Sequence, residues 1–138
     1  MPERDAVFRD WLKAVVEDPL VQAMLKRSHL TRAQLETLLI DLMAEGVIGR
    51  ELRTEEKASL RLGKRVTRGS FNRTLRQARE NVIKAIYTVL LLGYLGVLAT
   101  PALEPYIELG SALKRYSEVL REGGKPELLE EMRIISSS

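Results

Sequence analysis

The sequence predicts an all-helical fold, and three observations carry that expectation. Apolar residues recur at spacings of three and four along almost the whole chain, which is the period of one helix face. No segment alternates Val, Ile or Thr with polar residues in the manner of a half-buried strand. Helix-stop and helix-start residues stand between the apolar stripes: Pro19, Thr31 with Gln34, Gly46, Thr54, Thr67, and Thr100 with Pro101. At 138 residues the chain suits one domain with a helical appendage and can bury a real core.

The first helix is expected from Arg4 to Glu17, with Val7, Phe8, Trp11, Leu12, Val15 and Val16 on one stripe and Pro19 ending it. A short second helix follows from Leu20 to Lys26. Thr31 and Gln34 form a capping box ahead of Leu35, Leu38, Leu39, Leu42 and Met43, and Gly46 is the expected stop. Thr54, with Glu55 and Glu56 in a first turn, reads as the N-cap of a helix ending near Leu62 and Gly63. After a turn from Lys64 to Val66, Thr67 caps a helix with an apolar face of Phe71, Leu75, Ala78, Val82, Ile83 and Ile86. Thr100 and Pro101 start another helix, whose Tyr106, Leu109, Leu113, Tyr116 and Leu120 make a two-heptad seam. Gly123, Gly124 and Pro126 break it, and an amphipathic stretch from Pro126 to Ile135 precedes a serine tail. The expected division is a helical domain over 1–99, containing a helix-turn-helix at about 54–82, a packing or dimerisation segment over 100–135, and a tail over 136–138.

The net charge of +3 conceals a lopsided distribution. From Gly49 to Lys84 there are eleven basic residues against four acidic ones, and between Lys57 and Arg79 eight cations stand with no carboxylate. Such asymmetry is expected of a surface that meets a polyanion. Placing Phe71 at the centre of the buried face and stepping about 100° per residue, the opposite face collects Gly69, Arg73, Arg76, Gln77, Glu80 and Lys84, with Ser70 and Asn72 on its shoulders. Arginine can grip the two major-groove acceptors of guanine, and Gln or Asn can pair with adenine, so this face is equipped to discriminate bases. Candidate base-contacting residues are therefore Arg68, Ser70, Asn72, Arg73, Arg76 and Gln77, and candidate phosphate contacts are Lys57, Arg61, Lys64, Arg65, Thr67 and Arg79. The single aromatic from Glu51 to Ile86 is Phe71, which periodicity buries. Duplex DNA is expected over single-stranded RNA, whose binders expose aromatics for base stacking.

The segment 54–82, TEEKASLRLGKRVTRGSFNRTLRQARENV, carries the acidic pair Glu55 and Glu56, then Ala58, Leu62 with Gly63, the run Val66 to Phe71, and a basic tail from Leu75 to Arg79. In these features it resembles region 4 of bacterial sigma factors and the related helix-turn-helix regulators, over about a fifth of the chain. In that family the second helix of the pair enters the major groove of promoter DNA, so the resemblance implies base-edge contacts from the stretch Arg68 to Arg79. Lys64 and Arg65 make the turn two residues longer than the family's pattern. The implied role is that of a regulator rather than an initiation factor.

From Ala85 to Leu103 the chain has nineteen residues without a charge. A membrane-anchored adaptor is one reading of that length. Gly93 and Gly96 interrupt the run, however, and continuation of the helix into a core or a subunit interface is the preferred expectation. Surplus apolar helix surface and the two-fold habit of helix-turn-helix proteins predict a homodimer. A non-specific architectural nucleic-acid-binding role is the remaining alternative.

The chain has no cysteine and one histidine, His29, so thiolate chemistry and most metal sites lack their parts. No phosphate loop, metal-ligand spacing or catalytic constellation is present, and neither enzyme activity nor a cofactor is expected. The acidic patch of Glu122, Glu127, Glu130 and Glu131 reads as a solvated face. Few Asn and Gln beside many Arg, Lys, Glu and Leu give the composition of a heat-adapted protein, with a cytoplasmic location expected.

Overall fold

The computed structural model describes residues 2–97 and 104–121, and these are helical or in turns, with no strand among them. Six helices follow in order: α1 (Pro2–Glu17), α2 (Pro19–Arg27), α3 (Arg32–Ile48), α4 (Thr54–Ala58), α5 (Arg68–Tyr94) and α6 (Glu104–Arg121). The chain divides into two compact units, Met1–Ile86 and Tyr87–Ser138, with the division falling inside α5. Thr100 with Pro101, the Gly123 to Pro126 break, the stretch from Pro126 to Ile135, the acidic patch and the serine tail lie outside the described residues.

The first unit is built on α1 and α3. Phe8, Leu12 and Val16 of α1 meet Ile40, Ala44 and Ile48 of α3 in a core that Ala58, Leu60, Phe71 and Leu75 complete. Trp11 packs at its edge, with its ring 5.6 Å from that of Phe8. Val7, expected on the same stripe, is exposed. Asp18 separates α1 from α2. Its carboxylate accepts from the Leu20 and Val21 amides at 2.8 and 3.2 Å, and Pro19 takes the first helical position, where a missing N–H costs nothing.

The capping box that opens α3 forms as expected. The Gln34 amide donates to Thr31 Oγ1 and the Thr31 amide to Gln34 Oε1, both at 3.1 Å. The buried face differs from expectation. It runs through Glu36, Thr37, Ile40, Ala44 and Ile48, while Leu42 is 71% exposed and Met43 is also exposed. The helix passes through Gly46 and ends at Gly49, whose φ of +87° is the left-handed cap that glycine adopts without strain. Arg4 of α1 closes this end by donating from Nη1 to the Ile48 carbonyl at 3.0 Å.

Helix α4 starts one residue earlier than expected and is shorter. Arg53 is its N-cap, Thr54 its first helical residue, and it stops at Ala58. The Ser59 hydroxyl donates to the Glu56 carbonyl at 2.6 Å, and the chain then turns so that Leu60 enters the core. The connection to α5 therefore occupies residues 59–67 instead of a tight turn.

In the second unit, α5 ends in a hydrogen-bonded glycine cap. Gly96, at φ +74°, donates to the Gly93 carbonyl at 3.1 Å, and Val97 donates to the Leu92 carbonyl at 3.0 Å, the paired bonds of a Schellman motif. The apolar run is thus broken before Leu98, and no helix among the described residues is long and apolar enough to cross a membrane. Along α6, Ala112 is fully buried with Leu109, Leu113 and Tyr116 half-buried beside it, whereas Tyr106, at the start of the expected seam, is exposed.

Candidate nucleic-acid interface

Thr67 initiates α5 as its sequence position implies. Its hydroxyl oxygen accepts from the Ser70 amide at 3.1 Å, and its carbonyl from the Phe71 amide at 2.9 Å. Phe71, Leu75 and Ala78, spaced four and three, are buried and fix the rotational setting of the helix on the core. The opposite face is then open by geometry: Asn72, Arg73, Arg76 and Gln77 are all exposed. Ser70 is half-covered by the cap it completes. Gly69 faces open space, so a Cβ there would meet nothing within 4 Å. The first turn of α5 contains no acidic residue, and the positive end of the helix dipole is left uncompensated from within the turn.

The inward face expected for α5 stops earlier than periodicity implies. Val82, Ile83 and Ile86 continue the apolar spacing, yet all three are exposed, because the core cluster that covers Phe71 and Leu75 does not extend to them. Polar contacts hold the helix at that point. Asn81 Nδ2 donates to the His29 carbonyl at 3.0 Å and to Gln34 Oε1 at 3.1 Å. Arg79 Nη2 donates to Asp41 Oδ2 at 2.7 Å.

The cation run that looks uncompensated along the sequence is partly compensated in space, by carboxylates of α3. Lys57 Nζ lies 3.1 Å from Asp41 Oδ1 and 3.7 Å from Glu45 Oε1, with its side chain 16% exposed. Arg61 Nε donates to Glu36 Oε1 at 3.1 Å, and Arg61 Nη1 reaches Thr37 Oγ1 at 3.4 Å, with the arginine side chain 12% exposed. The same Glu36 oxygen accepts from the Leu62 amide at 3.0 Å, so this carboxylate shapes the connection between α4 and α5. Lys57 and Arg61, named above as candidate phosphate contacts, are therefore turned toward α3, and Arg79 is tied to it. Arg68 makes an exposed pair with Glu55 at 3.6 Å. Among the described residues, no carboxylate pairs with Lys64, Arg65, Arg73 or Arg76, and all four are exposed.

Sequence reasoning missed Glu36, Asp41 and Asn81 as residues that set the site, and placed Gln34 only in the capping box with Thr31. The one trace of the first three in the sequence is polarity within leucine-rich or apolar stretches, which a surface position explains equally well. Helix α4 carries another acid in a fixed setting, Glu56. Arg50 donates from Nη1 to Glu56 Oε2 at 2.6 Å, and the Arg53 amide donates to Glu56 Oε1 at 3.2 Å. The Arg50 hydrogen bond first, and the Arg53 amide second, hold the Glu56 carboxyl below its ordinary value.

No protein-family model, curated protein or solved structure matches the chain.

Proposed function

We propose that this protein is a sequence-specific duplex-DNA-binding protein, a transcriptional regulator in which the N-terminal half of α5 enters the major groove. The observation that carries the reading is the face of Asn72, Arg73, Arg76 and Gln77. All four project from a capped helix on the side away from Phe71, Leu75 and Ala78, and no carboxylate among the described residues holds either arginine. In a major groove, each arginine can donate two hydrogen bonds to guanine O6 and N7, and Asn72 or Gln77 can pair with adenine N6 and N7. Lys64 and Arg65, on the connection before α5, take the sugar-phosphate backbone together with the first turn at Thr67 and Arg68. Lys57 and Arg61 we assign to supporting that connection through Asp41 and Glu36. Burial of Phe71 to 1% exposure leaves no aromatic surface between Glu51 and Ile86 on which unpaired bases could stack, which favours duplex over single strands.

The helix-turn-helix of this reading has a short first helix, α4, and an expanded turn at residues 59–67. The test is selection of bound duplexes from a genomic pool by the wild type and by Arg73→Ala. The expected result is a defined motif that loses one position, or one per half-site, in the variant. Recovery of unselected sequence by both proteins assigns the same face to non-specific architectural binding instead.

A further inference from the structure

Beyond Ala78 the core no longer covers α5, and the helix still runs to Tyr94. Its length of 27 residues corresponds to about 40 Å at 1.5 Å per residue, of which the last half carries Val82, Ile83, Ile86, Tyr87, Leu90 and Tyr94 in exposed positions. The three most exposed of these lie on one stripe of the second unit: Tyr87, Leu90 and Tyr94, spaced three and four, are 66%, 58% and 89% exposed. From Ala85 to Val97 there is no charged residue. We propose that this stripe of α5 is a self-association surface, covered by the same stripe of a second copy of the chain.

The choice of occupant follows from chemistry and size. An uncharged face offers an acidic or basic partner nothing to pair with, whereas it is complementary to itself, as the two halves of a two-fold interface must be. Tyrosine is enriched and charge depleted at the centre of protein interfaces. A three-four spacing is the pattern by which two helices interdigitate their side chains. Two tyrosines, each able to bury roughly 150–250 Å², and the neighbouring aliphatic side chains offer an area near the ~800 Å² per partner of a stable interface. No helix among the described residues is long and apolar enough to find its cover by spanning a bilayer.

The proposal does not rest on DNA binding, and its test contains no DNA. Sedimentation equilibrium of the full chain across the micromolar range is expected to give a dimer. Leu90→Glu is expected to weaken association by ten-fold or more with the circular-dichroism helix signal retained, and Lys13→Glu, at an exposed position of α1, to leave it unchanged. Should Leu90→Glu lose helicity, Tyr87→Ala with Tyr94→Ala, both at exposed positions, takes its place with the same expectation. A wild type that sediments as a monomer throughout overturns the proposal. Binding of that monomer to phosphatidylglycerol vesicles then assigns the face to lipid, and its capture of a different protein assigns it to a heterologous partner. Dimers that survive substitution of the stripe, or that dissociate on Lys13→Glu, overturn it as well.

Discussion

Asp41 of α3 and Arg79 of α5 are joined at 2.7 Å, and the second oxygen of the same carboxylate lies 3.1 Å from Lys57 Nζ. One acid thus restrains two of the eight cations between Lys57 and Arg79. Removing its charge frees Arg79 for phosphate, whereas Lys57 keeps Glu45 Oε1 at 3.7 Å. Asp41→Asn is expected to tighten duplex binding several-fold at low salt and to steepen the plot of log affinity against log salt by about one phosphate contact or more. Anisotropy titrations with a labelled duplex at a series of salt concentrations measure both, and an unchanged slope would show that the Asp41 pair leaves Arg79 already available.

Arg61 and Lys64 are three residues apart in sequence and opposite in consequence. Arg61→Ala strips the buried Glu36 of its closest cation, and breaking such a pair costs roughly 3–5 kcal/mol of stability. Lys64→Ala, at an exposed position, is expected to leave the unfolding midpoint in place and to lower the salt slope of DNA binding by about one. Urea melts beside the binding series separate the two effects. Equal destabilisation by both variants would remove the distinction.

The two glycines near the end of α3 respond in opposite directions. Gly49→Ala places a Cβ 2.6 Å from Arg4 Nη1 on a residue at φ +87°, and the left-handed conformation alone costs an L-residue about 1–2 kcal/mol. Gly46→Ala enters open space within the helix and is expected to stabilise by about 0.5–1 kcal/mol. Thermal denaturation of the two single variants reads the sign of each.

Glu56 supplies a pH dependence. Its carboxyl is held below the ordinary value of 4.5, by Arg50 first. The stabilisation from this group is therefore fully present above 4.5 and is lost as pH falls through the lowered folded value. Glu56→Gln is expected to flatten the acid limb of the stability profile, in denaturant melts taken below neutrality, while leaving its neutral part little changed in shape. A parallel acid limb in the variant would assign the loss to other groups.

Legibility in the sequence varied with the kind of signal. Local chemistry was read well. Thr31 with Gln34, Pro19 and Thr67 act through bonds spanning a few residues, and the structure contains those bonds. Faces were read well only where polar residues bracket them. The stripe of Phe8 and Leu12 and that of Phe71 and Leu75 are flanked by charge, but α3 has apolar residues around most of its circumference, so spacing alone could not choose the face of Thr37 and Ile40 over that of Leu42. The end of α3 was misplaced because Gly46, an ordinary helical residue here, precedes the glycine that adopts positive φ. The α5 site was half legible. Its outward residues follow from phase, whereas the capture of Lys57, Arg61 and Arg79 depends on carboxylates 16 to 38 positions away, a distance over which composition says nothing about contact.

Sharing of the cations with α3 changes the range of the field that an approaching polyanion meets. Lys57, Arg61 and Arg79 each face a neutralising carboxylate, so beyond a Debye length of about 8 Å at physiological ionic strength little of their charge survives to attract. Close in, Lys64, Arg65, Arg73 and Arg76 of the first unit remain exposed and without a pairing carboxylate among the described residues. Such an arrangement does little long-range steering and most of its work at contact: it makes the orientation of the docked state, rather than the frequency of encounter, the quantity that the charges control.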